Sequence, residues 1–351
     1  MRWVVRRHLW LLIAALVLVV GCSSASTPKA AEPGAWNEDE VTFVSDGLTT
    51  YGTYRHRADA PPGPAALLIS ESGNTDRNGD NAVAGKIGTL RALAELLSAQ
   101  GVASLRYDKV GTGKTKLGPY VNRPKDIGSE AFTAEAKTAL RFLADQQGTE
   151  ADKISVYGHG EGAVRALLLA TDTTPDAPKI RALGLFQPLA GRYLDLVTDR
   201  VRKDLDVQTK AGQVTAEQAA QILATWTAAV AQARKDGTVA AQLPHGLNAI
   251  LNKDNVKAVL ETDAINPVAL AMLVPDGTPV LLTCSDSDGQ ASCDAVQPLA
   301  DALKHTELDS IHLNGVSHVL KDDPTDSIVN YAKDQPLSPQ LVDAFTRFVG
   351  H

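Results

Sequence analysis

The sequence predicts an α/β protein: a mostly parallel, doubly wound sheet that opens with an N-terminal antiparallel hairpin and is interrupted by an inserted helical cap. Three observations lead there. Short apolar runs of buried-strand type alternate with helix-period segments through residues 65–188, the pattern of strands joined by crossover helices. The alternation stops between about residues 190 and 273 and resumes at Val280. Ahead of it, two β-rich segments flank Ser45-Asp46-Gly47, a hairpin turn signal.

Taken in order, residues 41–44 and 48–56 are predicted to form the hairpin. Residues 65–70 are a continuous apolar run, as expected of a strand covered on both faces. Apolar positions recur at helical spacing over 89–100, and residues 102–107 supply the next strand. A helix over 134–147, a strand over 154–157, a helix over 162–171 and a strand over 180–186 complete the first half. The interrupting segment is polar and alanine-rich, with helices predicted over 215–234 and 255–261 and no strand. The sheet resumes with a strand over 280–283, a helix over 295–305, a strand over 310–313 and a closing helix over 338–348. The expected organisation is a core in two parts, 39–189 and 276–351, with the cap at 190–275.

Ahead of the core, Arg2, Arg6 and Arg7 precede an unbroken apolar run over residues 9–20 that ends at Gly21-Cys22-Ser23-Ser24. The run is shorter than the roughly 20 residues a membrane crossing needs and stops at small residues, so it predicts an export signal over 1–21. Val19-Val20-Gly21-Cys22 resembles the bacterial lipobox, which implies cleavage before Cys22, a lipid on its thiol and a membrane anchor on the outer face of the cell. Residues 22–38 then read as a flexible tether. Loss of the signal leaves 31 basic residues against 41 acidic, a net charge of −10, which argues against a nucleic-acid partner. Cys284 and Cys293 are the remaining cysteines, and outside the reducing cytoplasm they predict a disulfide.

The chemistry concentrates around Gly158-His159-Gly160-Glu161-Gly162, which follows a strand and opens a helix. That is the order of the G-x-S-x-G nucleophile elbow, whose strained central residue needs small neighbours. Gly158 and Gly162 fill the flanking places, and Gly160 holds the position of the nucleophile. In such a turn one oxyanion-hole N–H comes from the residue after the nucleophile and another from a loop after an earlier strand. Here those donors are the main chains of Glu161 and of Ser72, the latter in Ser70-Glu71-Ser72-Gly73-Asn74. One strand runs into Cys284-Ser285-Asp286-Ser287-Asp288 and another into Ser317-His318. They supply an acid, Asp288 with Asp286 as its competitor, and a histidine, in the chain order of a nucleophile–acid–histidine triad.

With these pieces in sequence, the chain resembles the bacterial carboxylesterase group of α/β-hydrolases with a helical cap, relatives of the serine aminopeptidase and prolyl-oligopeptidase catalytic domains. The resemblance runs from about residue 41 to the C-terminus. It takes in Ser72-Gly73, Asp76-Arg77-Asn78-Gly79, Arg106-Tyr107-Asp108-Lys109, Gly111-Thr112-Gly113-Lys114, the elbow and His318-Val319-Leu320-Lys321. It implies the α/β-hydrolase fold, with Asp288 orienting the imidazole and His318 as general base. Three residues depart from the family: Gly160 replaces serine, Ser70 replaces histidine and Glu71 replaces glycine. The first removes the attacking oxygen, and the other two change the shape and charge of the oxyanion loop.

A CxxC or mixed Cys/His spacing that could hold zinc is absent. Gly111-Thr112-Gly113-Lys114-Thr115 fails as a phosphate loop, because Asp108 stands where its first glycine belongs and Leu117-Gly118-Pro119 continues as loop. No cofactor and no metal is therefore expected. His159 is expected to pack within the elbow, its side chain turned from the cleft. Ser70, Ser72 and Ser317 are the hydroxyls nearest the site in sequence, yet none lies on a turn that would aim it at both histidine and oxyanion donors. Two functions from different classes follow. One is an esterase-like hydrolase for a small-molecule ester or acyl ligand, of low or no activity because of Gly160. The other is a non-catalytic protein that binds a ligand or partner in the same cleft, and a serine-to-glycine change in an active esterase is a third reading.

Overall fold

The computed structural model describes residues 34–240 and 242–350; the expected signal over 1–21, the lipidation at Cys22 and most of the tether lie outside the described residues. The strands are β1 (Trp36–Ser45), β2 (Leu48–Arg57), β3 (Gly63–Ile69), β4 (Ala103–Tyr107), β5 (Thr149–His159), β6 (Ile180–Phe186), β7 (Pro279–Ser285) and β8 (Glu307–Leu313). They form one sheet in the order β1-β2-β4-β3-β5-β6-β7-β8. β1 pairs antiparallel with β2, and β2 with β4; from β4 across to β8 the pairs are parallel. Asp46 and Gly47, with φ of 48° and 79°, make the two-residue turn that an Asp-Gly pair favours.

Helices cover both faces, as a doubly wound sheet requires. On one face α1 (Thr89–Ala99) and α10 (Pro339–Val349) bring Leu93, Leu97, Leu341 and Phe345 onto Ala66 and Leu68. On the other, α2 (Ser129–Ala144), α3 (Glu161–Ala170) and α8 (Cys293–Ala302) pack Leu140, Leu167 and Leu299 with Leu67, Val156, Leu183 and Leu282. Consecutive residues of β3 thus serve opposite faces, and its all-apolar sequence follows from burial on both. A short helix α9 (Ile328–Tyr331) closes the loop after His318.

Between β6 and β7 the chain forms α4 (Tyr193–Lys210), α5 (Ala216–Asp236), α6 (Val256–Ala264) and α7 (Pro267–Ala271). Leu194, Val201, Leu205, Ile222, Trp226 and Val230 build a separate core there. α5 starts with a capping box, Thr215 with Gln218, and ends at Gly237 with φ 73°. Two expectations need correction. Residues 36–38, expected in the tether, belong to β1, where Glu38 pairs with Arg55 and Arg106 and Trp36 stacks under Arg55. The helix over 134–147 starts earlier, at Ser129, because the Glu261 carboxylate of the cap accepts the Ser129 N–H.

Candidate active site

The elbow joins β5 to α3, and Gly160 takes φ 56° and ψ −119°, backbone that side-chain-bearing residues rarely adopt. Its N–H donates to Phe186 O at 3.0 Å, tying the turn to β6. The flanking glycines are required by close approach: a Cβ on Gly158 would lie 2.2 Å from Gly162 O, and one on Gly162 would lie 2.3 Å from Ile69 O. The backbone of a nucleophile elbow is therefore present with glycine at its centre.

Of the two acids, Asp288 faces the histidine. Nδ1 of His318 donates to Asp288 Oδ2 at 2.7 Å, while Asp288 Oδ1 accepts the main-chain N–H of Gln290 (2.7 Å) and Ala291 (3.0 Å). Asp286 instead accepts the Gly315 N–H at 2.8 Å. The other imidazole nitrogen, Nε2, lies 3.1 Å from Glu71 Oε2. A carboxylate thus sits on the nitrogen a serine hydroxyl would use. Burial works against the charged forms here, but Asp288 and Glu71 outweigh it and hold His318 well above its usual value. Burial likewise pushes Glu71 up, and its hydrogen bond and attraction to His318 bring it well below the ordinary carboxylate range.

Glu71 is placed by Lys109, one of the residues that carried the resemblance. Its ammonium donates to the main-chain oxygens of Glu71 (2.6 Å) and Thr75 (2.8 Å) and to Ser70 Oγ (3.1 Å), fixing the loop after β3. Burial pushes Lys109 down to about 8 against the pull of Glu161 and Glu71. Asp108 accepts from the Arg77 guanidinium (2.8 Å), Arg77 N (2.9 Å) and Lys114 N (2.8 Å). Gly113 wraps that carboxylate so closely that a Cβ would lie 2.2 Å from it, so this glycine-rich stretch encloses an aspartate. Ser70 Oγ donates to Thr75 O and Ser317 Oγ to Lys321 O, so neither hydroxyl is aimed at His318. Ser72 and Glu161, the candidate oxyanion donors, both line the cleft, where the Glu161 carboxylate pairs with Arg165 at 2.5 Å.

His159 is buried, as expected of an elbow residue, yet it also belongs to the site. Its Nε2 lies 2.7 Å from the main-chain oxygen of His318, and the two rings are 5.0 Å apart. One nitrogen of each imidazole and one oxygen of Glu71 come within 4.8 Å of one another, a set that could hold a metal ion. Sequence reasoning missed this cluster because Glu71, His159 and His318 are far apart along the chain. The only signal was the placing of Glu71 and His159 in motifs already assigned to the cleft. Two cavities meet above the site, of about 380 and 430 Å³, sharing Ser72, Tyr193 and Ile250.

Strand order, elbow, acid and histidine together define the α/β-hydrolase fold. Solved structures agree. An esterase of Pyrococcus furiosus matches with a TM-score of 0.54 and 12% identity over 90% of each chain. Est1E from Butyrivibrio proteoclasticus, solved with ferulic acid bound, gives 0.53 and 16% over 88% of this chain and 96% of its own. The α/β hydrolase GrgF from Penicillium sp. sh18 gives 0.53 and 17% over 90% of this chain and 100% of its own. No protein-family model matches the chain, and no curated protein matches it by sequence.

Proposed function

We propose that the protein is an exported lipoprotein whose capped α/β-hydrolase cleft, of the carboxylesterase type, binds a small amphipathic ester or acyl ligand and turns it over slowly or not at all. The observation that carries this reading is the Glu71 carboxylate against His318 Nε2 beside a glycine at 160. Serine-type acyl transfer needs a hydroxyl on that nitrogen, positioned also toward the oxyanion donors. Both cavities suit a ligand that carries an apolar chain and a polar group. Leu196, Val201 and Leu205 line the one under the cap together with Arg200 and Asp204, and Tyr107, Phe132 and Val259 line the other together with Glu71 and Lys109. The acyl class comes from the esterases that share the fold, and export from residues 1–21 and Cys22, in keeping with the Cys284–Cys293 disulfide.

The test uses the full-length protein in detergent with a chelator present. Hydrolysis of p-nitrophenyl butyrate is expected at the buffer rate, with saturable calorimetric binding of decanoate that Leu196→Trp abolishes by filling the cap cavity. An ordinary enzymatic rate that His318→Ala removes overturns the reading. Cys22→Ser is expected to abolish incorporation of labelled palmitate and move the protein out of the membrane fraction; retention of both rules out the anchor.

A further inference from the structure

Glu71, His159 and His318 offer a carboxylate and two imidazoles, the ligand set that suits zinc and its neighbours among the divalent transition metals. Among the described residues they are the one such group of three. Glu71 Oε2 and His318 Nε2 are 3.1 Å apart. An ion about 2.05 Å from each would see them at an angle of about 98°, which a four- or five-coordinate site accommodates. A His159 nitrogen lies within 4.8 Å of both atoms, so its ring has to draw in for a third bond to the ion.

The outer nitrogens are already held as metal-binding histidines require. Nδ1 of His318 donates to Asp288, itself fixed by two main-chain N–H groups. Nε2 of His159 faces the carbonyl of His318 at 2.7 Å and so carries the proton, which leaves the lone pair on Nδ1. Each imidazole thus has one nitrogen committed to an outer partner, the arrangement that fixes tautomer and ring orientation at metal sites; the inner nitrogen of His318 donates to Glu71 and has to release that proton as an ion replaces it between the two. Gly160 completes the case. A Cβ there would lie 3.3 Å from His318 Nε2, so the glycine leaves room beside the ligating nitrogen, and the cavity lined by Glu71 gives entry from solvent.

We infer that Glu71, His159 and His318 form a binding site for a divalent transition metal, zinc by preference, where a serine hydroxyl would otherwise stand. The site deepens the reading of the cleft as a binding site and rests on the same Glu71–His318 contact. The experiment is calorimetric titration of untagged, chelator-stripped full-length protein with zinc chloride, with cobalt(II) as a spectroscopic probe. The expected result is one ion per chain and a visible cobalt band of four- or five-coordinate type. Glu71→Gln, His159→Gln and His318→Gln should each abolish that band while the circular dichroism of the fold stays intact. Asp288→Asn, which touches no ion, should weaken zinc by about 10- to 100-fold and keep the band. No stoichiometric uptake by the unmodified chain, or uptake that survives in any of the three ligand variants, overturns the assignment. Ester turnover in chelator is measured separately, so failure of the ligand-binding reading and failure of the metal site give different results.

Discussion

The carboxylate of Glu71 lies 3.1 Å from Nε2 of His318, and the residue that would normally compete for that nitrogen is Gly160. The two departures from the esterase pattern are physically coupled. A Cβ at 160 would stand 3.0 Å from Cβ of Glu71, close enough that Glu71 would have to give way by a few tenths of an ångström. If the chain were an active esterase with a lone serine-to-glycine change, Gly160→Ser by itself would restore activity. The coupling predicts otherwise: Gly160→Ser stays silent, because Glu71 both crowds the hydroxyl and occupies the base. Glu71→Gly with Gly160→Ser is expected to raise p-nitrophenyl butyrate hydrolysis by roughly 10²-fold or more over either single variant. Steady-state rates of the four proteins of this cycle decide it, and a fully active single Gly160→Ser variant refutes the coupling.

What the sequence disclosed and what it hid divide along one physical line. β6 and the disulfide were legible, and the sequence pointed to Asp288 and His318, which lie 2.7 Å apart, because each rests on local pattern or on chain order. The start of β1 was hidden: Trp36, Asn37 and Glu38 read as tether, and the ion pairs of Glu38 with Arg55 and Arg106 hold a strand there. α4 was hidden as well, since Leu194, Val201 and Leu205 are its only buried residues among many charges. Glu71 was visible as an odd residue on the oxyanion loop, but its contact with His318 spans most of the chain. His159 was assigned to the elbow correctly and to the cleft not at all, because one ring serves both.

The acid loop is closed by a covalent bond: Cys284 is the last but one residue of β7, Cys293 opens α8, and Asp288 lies between them. Intact mass is expected to rise by two hydrogens on reduction. A cross-link closing about ten residues contributes about 2–3 kcal/mol through the unfolded chain. Cys284→Ala with Cys293→Ala should therefore lower the Tm measurably in the absence of reductant, and dithiothreitol should lower the Tm of the parent but not of the double variant. Equal sensitivity of both proteins to dithiothreitol would assign the effect elsewhere.

Asp263 holds the cap to itself. Fully buried at the end of α6, it accepts from the guanidinium of Arg192 (2.7 Å), from Nε and Nη2 of Arg234 (2.9 Å each) and from Leu194 N (2.9 Å). Both arginines reach solvent, which screens the charge left by breaking the pair. Asp263→Ala is expected to cost roughly 2 kcal/mol, less than a fully buried pair would. Hydrogen exchange should speed up in residues 193–264 and leave the sheet strands unchanged. Uniform acceleration across the sheet would show that the cap and core do not open separately.

Glu135 gives the fold a pH dependence of its own. It is buried in α2, and burial raises its pKa to about 7, although the N–H of Val110 (2.9 Å) and the hydroxyl of Thr50 (3.0 Å) favour the charged form. A carboxyl that holds its proton more tightly in the folded than in the unfolded state stabilises the fold at low pH. That contribution is full below the unfolded value near 4.5, falls as pH rises and is lost above about 7. Glu135→Gln, neutral at every pH, removes this loss and keeps an acceptor for Thr50 or Val110. Urea denaturation at pH 5 and pH 8 should therefore find the variant gaining on the parent as pH rises, by roughly 3 kcal/mol at most. A parent and variant that differ by the same amount at both pH values would mean that Glu135 is charged throughout this range.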